Sequence, residues 1–168
     1  RTIQLIDSLK VPHAGTYINA DEREKKYPLL LEKNGFRIAL LNYTYGTNGI
    51  PVTPPNIVNY IDTAIIVKDI EESKAMKPDA IIACMHWGTE YSLQPDSMQK
   101  KWTKIFAESG ADLVLGTHPH VIEPIEWVED ETTGHQMLVY YSLGNFVNWT
   151  SSSGDGIANR MVGGMAEI

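Results

Sequence analysis

Cysteine is almost absent from this sequence of 168 residues: the single Cys84 can form no disulfide within the chain, so the fold must rest on its core alone. Long apolar runs are missing too, and nothing approaches the roughly 20 apolar residues that a membrane-crossing helix needs. Positive charge is scarce, with 14 Lys and Arg against 21 Asp and Glu and a net charge of −7. That balance provides no general attraction for phosphate backbones and argues against nucleic acid as a partner. Repeats and low-complexity tracts are lacking as well. What is present is ordinary globular material, 43% hydrophobic and 21% charged, enough to bury a sizeable core.

Ile3, Leu5, Ile6 and Leu9 fall on one helical face, and Pro12 ends that helix by restricting Val11. A short buried strand through His13 and Ala14 is expected to follow. Apolar runs from Tyr27 to Lys33 and from Phe36 to Tyr43 flank Asn34-Gly35, the dipeptide best suited to the positive φ angles of a two-residue hairpin. Residues 45–55, rich in Gly, Pro, Thr and Asn, read as an exposed loop, and Asn56 to Ile61 as a short strand. Asp62 or Thr63 can cap a helix running to Met76, and Asp79 to Met85 reads as a central strand covered on both faces. Asp96 opens a helix to Ser109, closed by Gly110, and Asp112 to Leu115 is another short strand. Val121 to Val128 and Gln136 to Tyr141 read as two strands, Ser151 to Gly156 as a polar loop, and Met161 to Ile168 as a strand. Hairpins mixed with strand–helix–strand crossovers predict an α/β fold built on a mixed sheet.

In such sheets, ligands sit beyond the carboxyl ends of the strands. His86 directly follows Met85, and Gly116-Thr117-His118-Pro119-His120 directly follows Leu115, so three of the five histidines stand where a site would form. Proline is expected to hold His118 extended, so that His118 and His120 project to one side, with Gly116 allowing a sharp turn. Neutral imidazole is the commonest metal-binding side chain. Three of them suit a zinc site with one open position, or half of a two-metal site with ions about 3.5–4 Å apart. The second arrangement needs bridging carboxylates, for which Glu90, Glu123 and Glu126 are the candidates in this chain. His13, in an apolar segment, and His135, in a turn, read as structural.

Three motifs then occur in serial order: Met85-His86-Trp87-Gly88-Thr89-Glu90-Tyr91, Gly110-Ala111-Asp112 through Gly116-Thr117-His118-Pro119-His120-Val121, and Tyr141-Ser142-Leu143-Gly144-Asn145-Phe146. With Asn34-Gly35-Phe36-Arg37-Ile38-Ala39-Leu40-Leu41, they resemble the CapA-like proteins of poly-gamma-glutamate capsule biosynthesis, a family similar to calcineurin-like metallophosphoesterases. The resemblance implies an α/β mixed-sheet sandwich of the metallophosphoesterase type with a metal site at its strand ends. It makes His86, His118 and His120 the metal ligands, with Glu90 and Asn145 lining the site. It implies a divalent cation (Mn, Zn or Fe), an anionic polymer or phosphoester-like substrate, a cell-envelope location and a membrane-associated capsule assembly. A non-catalytic role in handling or exporting the polymer fits the same resemblance. A third reading, from the aromatics alone, is a carbohydrate-binding module using Trp87, Tyr91, Trp102 and Trp149; it is weaker, because scattered aromatics are usually core or surface packing.

The family pattern also includes an acidic Gly-Asp strand end and an Asn-His pair, and neither occurs in this chain. By the resemblance that pair supplies the catalytic histidine, which is therefore expected upstream of Arg1 and not among the residues present. Residues 1–17, from Arg1 to Tyr17, resemble the segment that follows the pair. The expectation is the carboxyl-terminal portion of a longer domain, a single unit over residues 1–168 cut at its amino end and also at its carboxyl end. Without the acidic partners, two divalent cations would repel each other with little to offset them, so one weakly held ion at most, or none, and an inactive fragment are expected. An unpaired sheet edge should also drive homo-oligomer formation. Sedimentation velocity at high concentration is predicted to show dimers, and a strict monomer would count against that expectation.

Overall fold

The computed structural model describes residues 2–149 and 152–167. Arg1, ahead of which the catalytic histidine is expected, lies outside the described residues, so the first helix is described from Thr2. Six strands form one mixed sheet in the order β2-β3-β5-β6-β8-β7, and two short strands, β1 and β4, form a separate ribbon. Their ranges follow with the two compact units into which the chain divides, residues 1–83 and 84–168.

In the first unit, α1 (Thr2–Ser8) is followed by β1 (Thr16–Tyr17), α2 (Ala20–Lys26), β2 (Leu29–Lys33), β3 (Phe36–Thr44), β4 (Ile57–Val58), α3 (Thr63–Ala75) and the start of β5 (Ala80–His86). The β2–β3 hairpin forms about Asn34 and Gly35, at φ +54° and +86°, and the antiparallel register pairs Leu29 with Leu40 and Lys33 with Phe36. Asp62 caps α3 by accepting from the Ile65 amide. The expected strand at His13 and Ala14 does not form. Gly15 interrupts the run at φ +100°, and the strand begins at Thr16, where Tyr17 is the side chain taken into the core. Helix α2 is not foreseen from the sequence, because Ala-Asp-Glu-Arg-Glu-Lys-Lys has no apolar face. It stands on its ends: Asn19 accepts from the Glu22 amide, acids occupy the first turn and bases the last.

The core of this unit is built on tyrosine. The Tyr17 and Tyr27 rings meet edge to face at 5.9 Å, and Tyr27 and Tyr43 at 6.3 Å. Beneath them Asp69 is fully buried and accepts from the Tyr43 hydroxyl and from Arg23 Nη2, both at 2.8 Å. Burial pushes the Asp69 carboxyl up, while Tyr43 and Arg23 hold it down.

The second unit contains the end of β5, α4 (Ser97–Ser109), β6 (Leu113–Thr117), β7 (Ile125–Glu129), β8 (Gln136–Tyr140) and a 3₁₀ turn at Ala158–Met161. Strand β8 runs parallel to β6 and antiparallel to β7. A capping box starts α4: Asp96 accepts from the Gln99 amide while the Gln99 side chain accepts from the Asp96 amide. Gly110 closes the helix at φ +86°. Strand β7 starts at Ile125 and not Val121, since Pro124 has no amide to give to a ladder. Among the described residues the tail forms no strand either; it makes the 3₁₀ turn, and Gly163 bridges to Gly144. Of the expected polar loop and terminal strand, Ser151 and Ile168 lie outside the described residues. Among the described residues, no helix is long and apolar enough to cross a membrane.

The Asp69 network yields the first structural prediction. Arg23→Ala would leave a buried carboxylate facing only Tyr43 and should cost about 3–5 kcal/mol in urea unfolding. Adding Asp69→Asn should recover part of that loss, and a cost below about 1 kcal/mol for Arg23→Ala would show that the pair is not structural.

Candidate metal centre

All of the residues singled out at the strand ends lie in the second unit. The ends of β5 and β6 are tied together: the Trp87 amide donates to the Thr117 carbonyl at 3.1 Å, and the Thr117 hydroxyl donates to the Met85 carbonyl at 3.0 Å. Gly116, expected to provide a sharp turn, serves close approach instead. A Cβ there would collide with the Tyr141 carbonyl and with Trp87 Nε1, the nitrogen that donates to that carbonyl at 2.9 Å. Trp87, almost fully buried, is thus part of the framework and not a stacking platform for sugar.

These ties bring the histidines together. The His86 and His118 rings meet edge on with centroids 4.6 Å apart, and His118 and His120 lie 5.9 Å apart. His118 is not extended, contrary to expectation. It sits at φ +103° and His120 at +62°, so the chain turns back on itself within three residues. Proline removes only the right-handed helical choice from the residue before it and does not forbid a positive φ. Each such conformation costs of order 1–3 kcal/mol and persists only where neighbours fix it. Here the Tyr91 amide donates to the Pro119 carbonyl at 2.8 Å, the Leu143 amide to Gly116 at 3.0 Å, and Asn145 Nδ2 to the His120 carbonyl at 3.1 Å.

Asn145 settles the chemistry of His120. Its Nδ2 donates to two carbonyls, those of His120 at 3.1 Å and Arg160 at 3.0 Å, so the amide can face only one way. Its Oδ1 therefore accepts, and the group 2.7 Å away, His120 Nδ1, must carry the proton. In the neutral ring, Nε2 is then a bare lone pair, 3.8 Å from Glu90 Oε1. Glu90, His118 and His120 each offer a ligand atom, all within 4.8 Å of one another. His86 stands beside this trio, against His118. Burial lowers the pKa of both His86 and His118; for His86 the neighbouring His118 and His120 add to it, whereas for His118 Glu90 opposes and His120 adds. Both rings thus favour the neutral, ligating form.

The donor set fits a divalent cation on its own chemistry. Imidazole nitrogens and a carboxylate suit zinc or manganese, and an outer amide that orients a ligating ring is the usual support of such a site. The other two carboxylates stand apart from this trio. Glu126 accepts from the Tyr141 hydroxyl at 3.2 Å. Glu123 is 2% exposed and accepts from Gln99 Nε2 at 2.6 Å, with its Oε1 lacking a hydrogen-bond partner. His13 lies in the first unit, and His135 Nε2 is 2.7 Å from the Ala111 carbonyl. Sequence reasoning missed Arg160, whose guanidinium lies 3.6 Å above the Tyr91 ring, with Tyr91 in turn 6.0 Å from His120. No local motif marks an arginine 40 residues from the histidine it approaches.

Residues 1–150 match the family described as Bacterial capsule synthesis protein PGA_cap. The chain is 35% identical over 122 residues to the PGA biosynthesis protein CapA of Bacillus subtilis (strain 168), covering 70% of this chain and 30% of that protein. It is 30% identical over 146 residues to the capsule biosynthesis protein CapA of Bacillus anthracis, covering 80% and 34%. It therefore spans about a third of the length of these curated relatives. Among solved structures, the NAD nucleotidase (NadN) of Haemophilus influenzae is similar with a TM-score of 0.54 at 16% identity, covering 82% of this chain and 30% of that one, a likeness of fold.

Glu123 provides a pH test of this second unit. Burial first of all, with Asp96 adding, raises its carboxyl above the ordinary 4.5, and the Gln99 bond only partly opposes this. The folded state then holds the proton more tightly than the unfolded one, so this contribution is full below pH 4.5 and fades as pH rises through the folded value. Glu123→Gln should flatten that decline, and urea midpoints between about pH 4 and 7 that fall in parallel for variant and parent would contradict it.

Proposed function

The chain belongs to the family of bacterial capsule synthesis proteins, and from that membership we propose that its strand-end histidines form a divalent-metal centre acting on an anionic cell-envelope polymer of the poly-gamma-glutamate type. The observation that carries the reading is the Asn145 amide, which holds a proton on His120 Nδ1 and so turns Nε2 of the neutral ring toward Glu90 and His118 as the ligand atom. His118, His120 and Glu90 would hold the ion, with His86 beside them. A bound cation supplies Lewis-acid polarisation of a substrate oxygen. The chain's own residues do the rest: Asn145 keeps the proton on His120 Nδ1, the strained loop holds His118 against His86, and Glu90 brings the negative charge that neutral imidazoles lack. The reaction proposed for the whole protein is hydrolysis or transfer at a phosphoester or an amide bond of the polymer, at the cell envelope.

A second reading is that the site binds the polymer without cleaving it. It is favoured by the single carboxylate, Glu90, in the grouped set among the described residues. One carboxylate offsets the charge of one ion poorly and of two ions hardly at all.

Calorimetric titration with Mn²⁺ and Zn²⁺ is expected to show one ion per chain. Asn145→Ala should weaken binding roughly 10–100-fold by releasing the His120 ring, and His118→Ala should weaken it further. Unchanged affinity in both variants would remove this reading. Incubation of the metal-loaded whole protein with poly-gamma-glutamate and with a generic phosphodiester separates the two roles, since binding without turnover leaves the non-cleaving one.

A further inference from the structure

We propose that Arg160 is the anchor for an oxyanion of the substrate beside the histidine cluster, a binding role that rests on reading that cluster as the reacting site. Arg160 lies beyond the residues that match the capsule family, and no sequence motif includes it. Its guanidinium carbon is 3.6 Å above the centre of the Tyr91 ring, and the centroid of that ring is 6.0 Å from that of His120. The cation and His120 thus share Tyr91 as a common neighbour.

Three observations make this a built position and not a stray surface arginine. The first is backbone anchoring. The Arg160 carbonyl accepts from Asn145 Nδ2 at 3.0 Å and from Asn148 Nδ2 at 2.9 Å, so the amide that sets the His120 tautomer also fixes Arg160. Close approach of the tail reinforces it: the Gly164 amide donates to the Leu143 carbonyl at 2.7 Å, and a Cβ on Gly163 would collide with the Asn145 carbonyl.

The second is incomplete pairing. Arg160 is half-buried, its Nε is sealed from solvent without a hydrogen-bond partner, and among the described residues no carboxylate pairs with it. A partly desolvated cation without a counter-ion is costly unless something supplies one. The Tyr91 face offsets part of that cost but occupies the flat side of the guanidinium, leaving the fork of terminal nitrogens unmatched.

The third is backbone strain at the platform. Tyr91 stands at φ +65°, held by its amide bond to Pro119, so the ring that carries the cation is pinned to the histidine loop itself. A planar fork of N–H donors matches the two oxygens of a carboxylate or a phosphate. The ligand class is thus an oxyanion adjacent to the bond placed at the cluster. Such a group is present both in a phosphoester and in a γ-linked glutamate chain, whose side carboxylates repeat along the polymer.

The test uses the whole chain with two probes, inorganic phosphate and a γ-linked glutamate oligomer, titrated calorimetrically into the parent, Arg160→Ala and Arg160→Lys. Arg160→Ala should weaken binding of at least one probe roughly tenfold to a hundredfold, the effect of losing a charge-assisted pair. Arg160→Lys, which keeps the charge without the fork, should fall between. Whichever probe responds identifies the oxyanion. Mn²⁺ binding should persist in all three proteins and be no weaker in Arg160→Ala, which loses a nearby positive charge, so failure of the metal reading shows in the parent's metal titration while loss of probe binding is read separately. The proposal is overturned if the parent binds neither probe at millimolar concentration, or if Arg160→Ala binds both as the parent does.

Discussion

One side chain, Asn145, coordinates the whole strand-end site. Both protons of its amide go to carbonyls, which cannot donate, and this leaves its oxygen as the acceptor for His120 Nδ1. A single amide orientation thus fixes a tautomer, a ring position and the backbone of the tail at Arg160. None of these would follow if the amide were free to flip, because an asparagine with exchangeable ends leaves its neighbours' protons undetermined. The half-buried setting of Asn145 strengthens these bonds by limiting competition from water.

Asn145 can act in this way only because the strand ends beneath it are closely packed. Gly116 has no side chain, so the Tyr141 carbonyl can accept the Trp87 indole across it, and the Trp87 ring stacks on Tyr141 with centroids 6.3 Å apart. The strained φ angles at His118 and His120 are the cost of turning two rings toward one point within three residues. Hydrogen bonds from Tyr91, Leu143 and Asn145 to the loop carbonyls offset that cost. Nearby, Gly88 leaves room for the Gln99 side chain, which caps α4 and bonds Glu123. The same glutamine therefore ties the helix start to a buried acid that would otherwise be mistaken for a ligand.

Much of this is legible in the residues taken in order. Asn34-Gly35 announces the hairpin, Asp62 and Asp96 announce helix starts, and apolar strands ending in histidine announce where the three rings gather. These features are local, so sequence spacing captures them. What escapes is non-local or lacks a periodic signal. Helix α2 has no apolar face, and its caps alone reveal it. The positive φ of His118 is imposed by partners 25 or more residues away, whereas the rule about residues preceding proline points to the extended form. Gly116 reads as a turn because glycine usually marks one, yet its role depends on a strand that arrives later in the chain. Glu90 reads as a lining residue, and the fold brings it within ligand distance of two histidines while His86 stands just outside that trio.

Charge supports the proposed pairing of the cluster with Arg160. The chain is acidic overall, at −7, which opposes the approach of any polyanion. At the cluster itself the imbalance is different: neutral imidazoles contribute no charge, and Glu90 is the one carboxylate of the grouped set among the described residues. Two unit charges about 4 Å apart near a protein surface interact by about 4 kcal/mol, so one fixed guanidinium outweighs a distant, screened excess of acid. A divalent cation beside Glu90 would turn the cluster positive, and Arg160 adds to that field from across the Tyr91 ring. On the proposed reading, an anionic polymer would be repelled by most of this surface and still be held at one place, so that capture would depend on the local geometry that Asn145 and Arg160 share.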